Sequence, residues 1–324
     1  MSKATAIAPT NIAFIKYMGR KDEALRLPEN ASVSMNLSNL LTTTTVEFSQ
    51  TFRKDTVTIN NEEREVETVR VIKHLDRIRK LAKINDRAKV VSSNNFPTGT
   101  GLSSSSSGFA ALTVAGAKAA GLDLSERELS ILARQGSGSA SRSIPDGFVE
   151  WVDADSSEES YAKTIFPADH WDILDVVAIV STGRKAVKSS TAHQSVASGP
   201  YYRARIDRMA QKVQRCKKLI AAKDFPSFGA LCEEEALDLH VIFMSAGIIY
   251  LTSQSLELIK LVPLWRNEGL PVYFTLNTGQ DVHLLCEQQH VTAVQKKLKR
   301  LECVREVIVN EPARGARVTG EQLF

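Results

Sequence analysis

The segment that most constrains this chain is Asn94–Gly108, NNFPTGTGLSSSSSG. A short β-branched run, Lys89–Ser93, ends there, and a small, apolar stretch begins after Gly101 and continues to Gly121. Strand, glycine turn and apolar helix in that order place a run of serines at a helix N-terminus. Glycines allow a backbone to approach a ligand closely. Free N–H groups and the positive end of the helix dipole suit phosphate. Serine hydroxyls can donate to phosphate oxygens or ligate Mg²⁺. A flexible Gly/Ser linker is the plain alternative, but linkers are not usually bounded by a strand and an apolar helix. The loop has no Gly-Lys-Ser/Thr and is not GxGxxG, so it belongs to neither common phosphate-loop class.

A second turn, Gln135–Ser143 (QGSGSASRS), follows a helix signalled by the capping box Ser125/Glu128. Its Arg142 has the forked geometry that clamps a carboxylate or phosphate. Two such turns predict two anionic groups in one cleft.

Around them the pattern predicts strands at Leu41–Phe48, Thr56–Ile59 and Gly147–Val152, and a helix from Val66 to Leu81. After a buried strand at Leu174–Val180 come helices at Tyr202–Ala222, Phe228–Phe243 and from Ser255 to Gly269. Strands Val272–Leu276 and Val282–Cys286, a basic helix Val291–Leu301 and a strand Glu306–Val309 complete the chain. The irregular mixture predicts an α+β fold. At 324 residues two domains are expected, 1–172 and 173–324.

A net charge of +4 suits an anionic substrate and gives no argument for nucleic acid. No apolar run is long enough for a bilayer, and the start lacks a signal-peptide core. Four cysteines without CxxC spacing read as reduced thiols, so a cytoplasmic location is expected. His193, His240 and His283 lack metal-ligand spacing and read as structural or surface residues. Tyr17 reads equally as a core aromatic, and Arg205 equally as a solvated helix residue.

Three stretches, Ala8–Asp22 (APTNIAFIKYMGRKD), Asn94–Phe109 and Ala133–Trp151 (ARQGSGSASRSIPDGFVEW), together resemble the GHMP kinase superfamily, and within it the mevalonate-diphosphate decarboxylases. Weaker similarity covers Arg184–Arg205 and Tyr273–Val282. The resemblance implies a two-domain GHMP kinase-like fold, with an N-terminal domain of the ribosomal-protein type and a ferredoxin-like C-terminal domain. It implies ATP-dependent 3-phosphorylation of mevalonate 5-diphosphate, followed by decarboxylation to isopentenyl diphosphate. Close relatives decarboxylate the monophosphate or stop at the 3-phosphate. A non-catalytic binding protein is a further alternative. The family is often dimeric, so a homodimer is an expectation.

Carried over residue by residue, the resemblance makes Lys16 and Arg142 catalytic, and Tyr17, Arg20, Ser139, Ser189 and Ser190 substrate-binding. It assigns Gly99, Gly101, Ser103, Ser104 and Ser105 to ATP, with Ser105 also on Mg²⁺. One position departs from the family. An aspartate is implied where Asn277 stands, and an amide cannot accept a proton as a carboxylate does. Asp281 on the same loop is the first expected substitute, Asp146 the second, and the γ-phosphate or water the third.

Overall fold

The computed structural model describes residues 3–96, 102–181, 183, 187 and 189–324, the side chains of Ser189 and Ser190 excepted. The expected positions Gly99 and Gly101, and the hydroxyls of Ser189 and Ser190, lie outside the described residues.

The chain opens with strands β1 (Lys3–Ile15), β2 (Arg20–Asp22), β3 (Leu27–Pro28), β4 (Ser32–Ser49) and β5 (Thr56–Ile59). Helix α1 (Glu65–Ala82), β6 (Arg87–Asn94), α2 (Ser104–Ala119), α3 (Glu126–Gly136), a 3-10 turn (Gly138–Ser143), β7 (Phe148–Trp151) and β8 (Ala162–Phe166) follow. The second half contains β9 (Ile173–Ile179), α4 (Ser189–Ser195), α5 (Tyr202–Ala222), α6 (Phe225–Ser245), α7 (Ser253–Asn267), β10 (Tyr273–Leu276) and β11 (Val282–Glu287). It ends with α8 (Val291–Leu298), β12 (Glu306–Asn310) and β13 (Arg317–Thr319).

One sheet runs β13-β1-β4-β6-β5, with β7 and β8 continuing from the first part of β4. The 18-residue β4 serves two neighbours. Ser32–Met35 pair with β7, and Thr42–Ser49 pair with β6. The second sheet, β10-β11-β9-β12, is antiparallel throughout. Helix and sheet are mixed without a βαβ series, so the fold is α+β.

Sequence patterning does not reveal β1. Its residues Ala8–Ile15 are all buried, so the apolar–polar alternation that marks a half-exposed strand is absent. Strand β8 and the return of β13 to β1 are also new, the latter pairing Thr5 with Thr319. The last residues of the chain therefore pack on the first sheet rather than the second. Helix α6 starts at Phe225, three residues early, because Asp224 accepts from the Ser227 amide and Pro226 sits in the first turn.

The two sheets share one core. Ile12, Phe14 and Ile15 of β1 cluster with Val177 and Ile179 of β9 and with Met209 and Phe228 of the C-terminal helices. The Phe14 and Phe228 rings meet edge-on at 4.8 Å. An apolar junction of this kind resists relative motion, and it forms a firm floor beneath the end of β1.

Candidate active site

Strand β1 is irregular at Ala13/Ile15, and just beyond it Lys16 and Tyr17 turn into a cavity of about 630 Å³ between the sheets. Among the described residues, Lys16, Arg20, Arg26, Arg64, Arg70 and Arg142 line it against a single carboxylate, Glu67. Such an imbalance draws anions.

Lys16 is 3% exposed. Its Nζ donates to the carbonyl of Ala13 and, at 3.5 Å, to Asn277 Oδ1. Burial disfavours the ammonium and pulls its pKa down to about 7, an effect that nearby Glu235 partly offsets. Its main chain is held from both sides. The N–H donates to Glu235 Oε1 at 3.0 Å, and the carbonyl accepts from Asn30 Nδ2 and Arg205 Nη2 at 3.0 and 3.1 Å. Arg205 also pairs with Glu235. At 2% exposure Arg205 is not a solvated helix residue; it is part of the clamp on Lys16.

Asn277 connects this lysine to the serine loop. While Oδ1 faces Lys16, Nδ2 donates to Ser103 Oγ at 3.2 Å. The Asn277 carbonyl accepts from His240 Nε2 at 3.2 Å, and burial lowers the pKa of His240 to about 4, keeping it neutral. Ser103 precedes α2 with φ 58°, a left-handed conformation unusual for serine. Ser103, Ser104 and Ser105 all line the cavity at the helix N-terminus, as the serine run predicts. Ser105 Oγ lies 3.4 Å from Ser137 Oγ, which joins the two serine-rich turns.

Arg142 is buried among neutral partners. It donates to Ser34 Oγ, Ser32 Oγ and Asn11 Oδ1 at 3.1, 2.8 and 3.1 Å. No carboxylate among the described residues balances it, and burial lowers its pKa to about 10. A buried cation held only by neutral oxygens is ready for an anionic ligand. Ser139 stands beside it, and its carbonyl accepts from Asn11 Nδ2 at 3.2 Å.

Tyr17 is not a simple core aromatic. Its ring lies 4.6 Å from Trp151 and 4.3 Å from His193, and its hydroxyl accepts from Arg20 Nε at 3.0 Å. A side chain on Gly138 would come within 2.8 Å of that hydroxyl, so glycine is needed there. Lys21 is occupied with Asp153 and Asp155, leaving Arg20 as the member of the pair that lines the cavity. His193 lines it too, its Nδ1 accepting from the Gly19 amide at 3.0 Å. Nothing in its spacing marks it, because α4 brings it to Tyr17 from a distant part of the chain.

The two expected substitute carboxylates are elsewhere. Asp281 is buried, with Oδ1 accepting from the Val180 amide at 3.0 Å, and does not line the cavity. Asp146 Oδ1 accepts from the Gly315 amide at 2.6 Å.

Comparisons with known proteins agree with this geometry. Residues 8–162 match the family model "Diphosphomevalonate decarboxylase-like N-terminal domain", and residues 175–319 match "Mevalonate 5-diphosphate decarboxylase C-terminal domain". The diphosphomevalonate decarboxylase of Candida albicans is 37% identical over 87% of this chain and 83% of its own. That of Homo sapiens is 36% identical over 87% and 76%. The crystal structure of mevalonate diphosphate decarboxylase from Staphylococcus aureus superposes with a TM-score of 0.92 at 34% identity, over 98% of both chains. A structure described as MDDEF in complex with MVAPP, AMPPCP and magnesium gives the same TM-score, identity and coverage. Fold, cavity and sequence agree, and the chain belongs to the diphosphomevalonate decarboxylase family.

Proposed function

We propose that this chain transfers the γ-phosphate of ATP to the tertiary 3-hydroxyl of mevalonate 5-diphosphate and then releases CO₂ to give isopentenyl diphosphate. The observation that carries the reading is Arg142, a buried guanidinium with neutral partners at the end of a phosphate-suited cavity. Arg142 holds the substrate carboxylate. Lys16 sits between that site and the α2 N-terminus, where its charge offsets the transferring phosphoryl group. Phosphoryl transfer needs chiefly positioning and charge stabilisation, which these residues supply. Once the 3-oxygen carries phosphate, its C–O bond breaks with phosphate leaving. The C–C bond to the carboxylate then supplies the electron pair of the new double bond.

The apolar end of the cavity, Val57, Ile59, Val90 and Leu112, takes the adenine. Mg²⁺ suits this donor set as an ion carried by phosphate. Among the described residues no three or more His, Cys, Asp or Glu side chains converge to hold a metal, whereas Ser105 lines the cavity at the α2 N-terminus and would offer its hydroxyl to the ion. When bound, it neutralises phosphate charge. Among the described residues no carboxylate hydrogen-bonds the side chain of Lys16 or Arg142, so the hydroxyl proton passes to a phosphoryl oxygen or water, and Asn277 acts as a bridge that orients Lys16 and Ser103.

Three buried cysteines and one partly buried, all free, fit a cytoplasmic setting. Among the described residues no helix is long and apolar enough to cross a membrane. The test is to measure ADP and CO₂ together from Mg·ATP with mevalonate 5-diphosphate and, separately, its monophosphate. Equal yields from the diphosphate support the reading. ADP alone indicates a 3-kinase, and activity confined to the monophosphate indicates the other decarboxylase.

A further inference from the structure

One part of the cavity wall has no role in the steps above. Arg26 lies in the turn between β2 and β3 with φ 53°, a left-handed conformation rarely adopted by arginine. Its Nε donates to the carbonyl of Gln135 at 3.1 Å. Its other nitrogens have no hydrogen-bond partner among the described residues, and the side chain lines the cavity. Arg70, from α1, reaches the next carbonyl, Gly136, at 3.4 Å and rests its guanidinium 4.8 Å from the Phe109 ring. Both arginines thus attach to the C-terminal end of α3, immediately before Ser137 and Gly138, which line the same cavity.

Arg26 carries its charge among like charges. Burial comes first in lowering the pKa of Arg26 to about 10, and the neighbouring charges of Arg20, Arg70 and Arg77 add to it. Glu23 serves Arg20, and Glu67 acts on Arg70. No carboxylate among the described residues pairs with Arg26. A turn that holds an arginine in a strained conformation among like charges points to a function there.

We propose that Arg26 and Arg70 form a phosphate subsite on the Ser137 side of the cavity, and that Arg26 is a specificity-determining residue for a ligand's outer phosphate. The inference rests on the functional reading above and names a residue for it. Two ligands could bring that phosphate, the phosphorylated acid or the nucleotide. A forked guanidinium takes two parallel hydrogen bonds from such a group, which a lysine cannot reproduce.

Calorimetric titration of the whole protein with inorganic pyrophosphate tests the subsite without any turnover. Arg26→Gln is expected to weaken binding by about 10- to 100-fold, and Arg26→Lys to fall between it and the native protein. Steady-state KM values then identify the source. A rise for mevalonate 5-diphosphate, with the monophosphate and ATP unchanged, assigns the acid's outer phosphate. A rise for ATP alone assigns the nucleotide, and either result supports the subsite. The melting temperature of Arg26→Gln should be equal or higher, since like-charge repulsion is relieved. A lower melting temperature with unchanged pyrophosphate affinity would make Arg26 a structural peg and overturn the proposal. Unchanged affinity and unchanged KM values would overturn it as well. If the native protein makes neither ADP nor CO₂, the functional reading fails, and the pyrophosphate titration still decides the subsite.

Discussion

Replacing Asn277 by aspartate restores a carboxylate at the position where the family implies one, and the geometry says what this does to Lys16. The two side chains are 3.5 Å apart, and aspartate has the same shape as asparagine. At that separation an ion pair is worth roughly 4–5 kcal/mol at an effective dielectric of about 20. The cost of burying the new carboxylate cancels part of this. An opposite charge so close raises a lysine pKa by about 1–3 units. Lys16 would move from about 7 to roughly 8–10. Ser103 can keep its contact by turning its hydroxyl to donate. The account requires Lys16 to be cationic when the phosphoryl group moves, so the native kcat/KM should decline as pH rises through about 7. In Asn277→Asp that decline should begin about 1–3 pH units higher. ADP release followed from pH 6 upward reads both curves, with Lys16→Met as the inactive reference. An alkaline limb that stays in place, or moves to lower pH, would refute the role given to the lysine charge.

Other consequences follow from the same contacts. Asp281→Asn should lower kcat by less than about tenfold, because its oxygen serves the Val180 amide; a loss of several orders of magnitude would reinstate it as the base. Arg142→Met should reduce kcat/KM by about 100-fold or more while leaving the melting temperature equal or higher, since an unbalanced buried charge is removed. A large stability loss would show that Arg142 is structural. Glu235→Gln leaves Arg205 buried without its carboxylate, while Lys212 keeps Glu234 and Asp238, and should cost about 3–5 kcal/mol in denaturant unfolding. His74 and His240 have folded-state pKa values lowered by burial to about 3 and about 4, from 6.5. Their neutral forms favour folding above 6.5, and that contribution should be lost as pH falls toward 4 and then 3. Thermal melts across this range should show it, less steeply in a His240→Gln variant.

What the sequence disclosed depended on how local each signal is. The serine run, the Ser125/Glu128 cap and the Lys16-Tyr17 pair are short patterns whose chemistry is contained in neighbouring residues, and the cavity brings the first and the last of them together. Strand β1 was hidden because burial on both faces removes the alternation that identifies a strand. Arg205 and His193 depend on partners about 190 and 174 residues away, Lys16 and Gly19, and no helical periodicity reports such contacts. The direction of the Asp281 carboxylate is hidden for a related reason. Sequence puts it on the Asn277 loop, but β11 begins one residue later, and its carboxylate turns to the Val180 amide beyond β9. Arg26 left no pattern at all, since its meaning comes from the end of α3 and the arginines that α1 and the β2 region bring beside it.

The most direct test of the account is the ratio of CO₂ to ADP from mevalonate 5-diphosphate labelled at its carboxyl carbon, with the native protein and saturating Mg·ATP. The account predicts one CO₂ for each ADP, without any carboxylate at position 277. ADP without labelled CO₂, or no ADP at all, would contradict it.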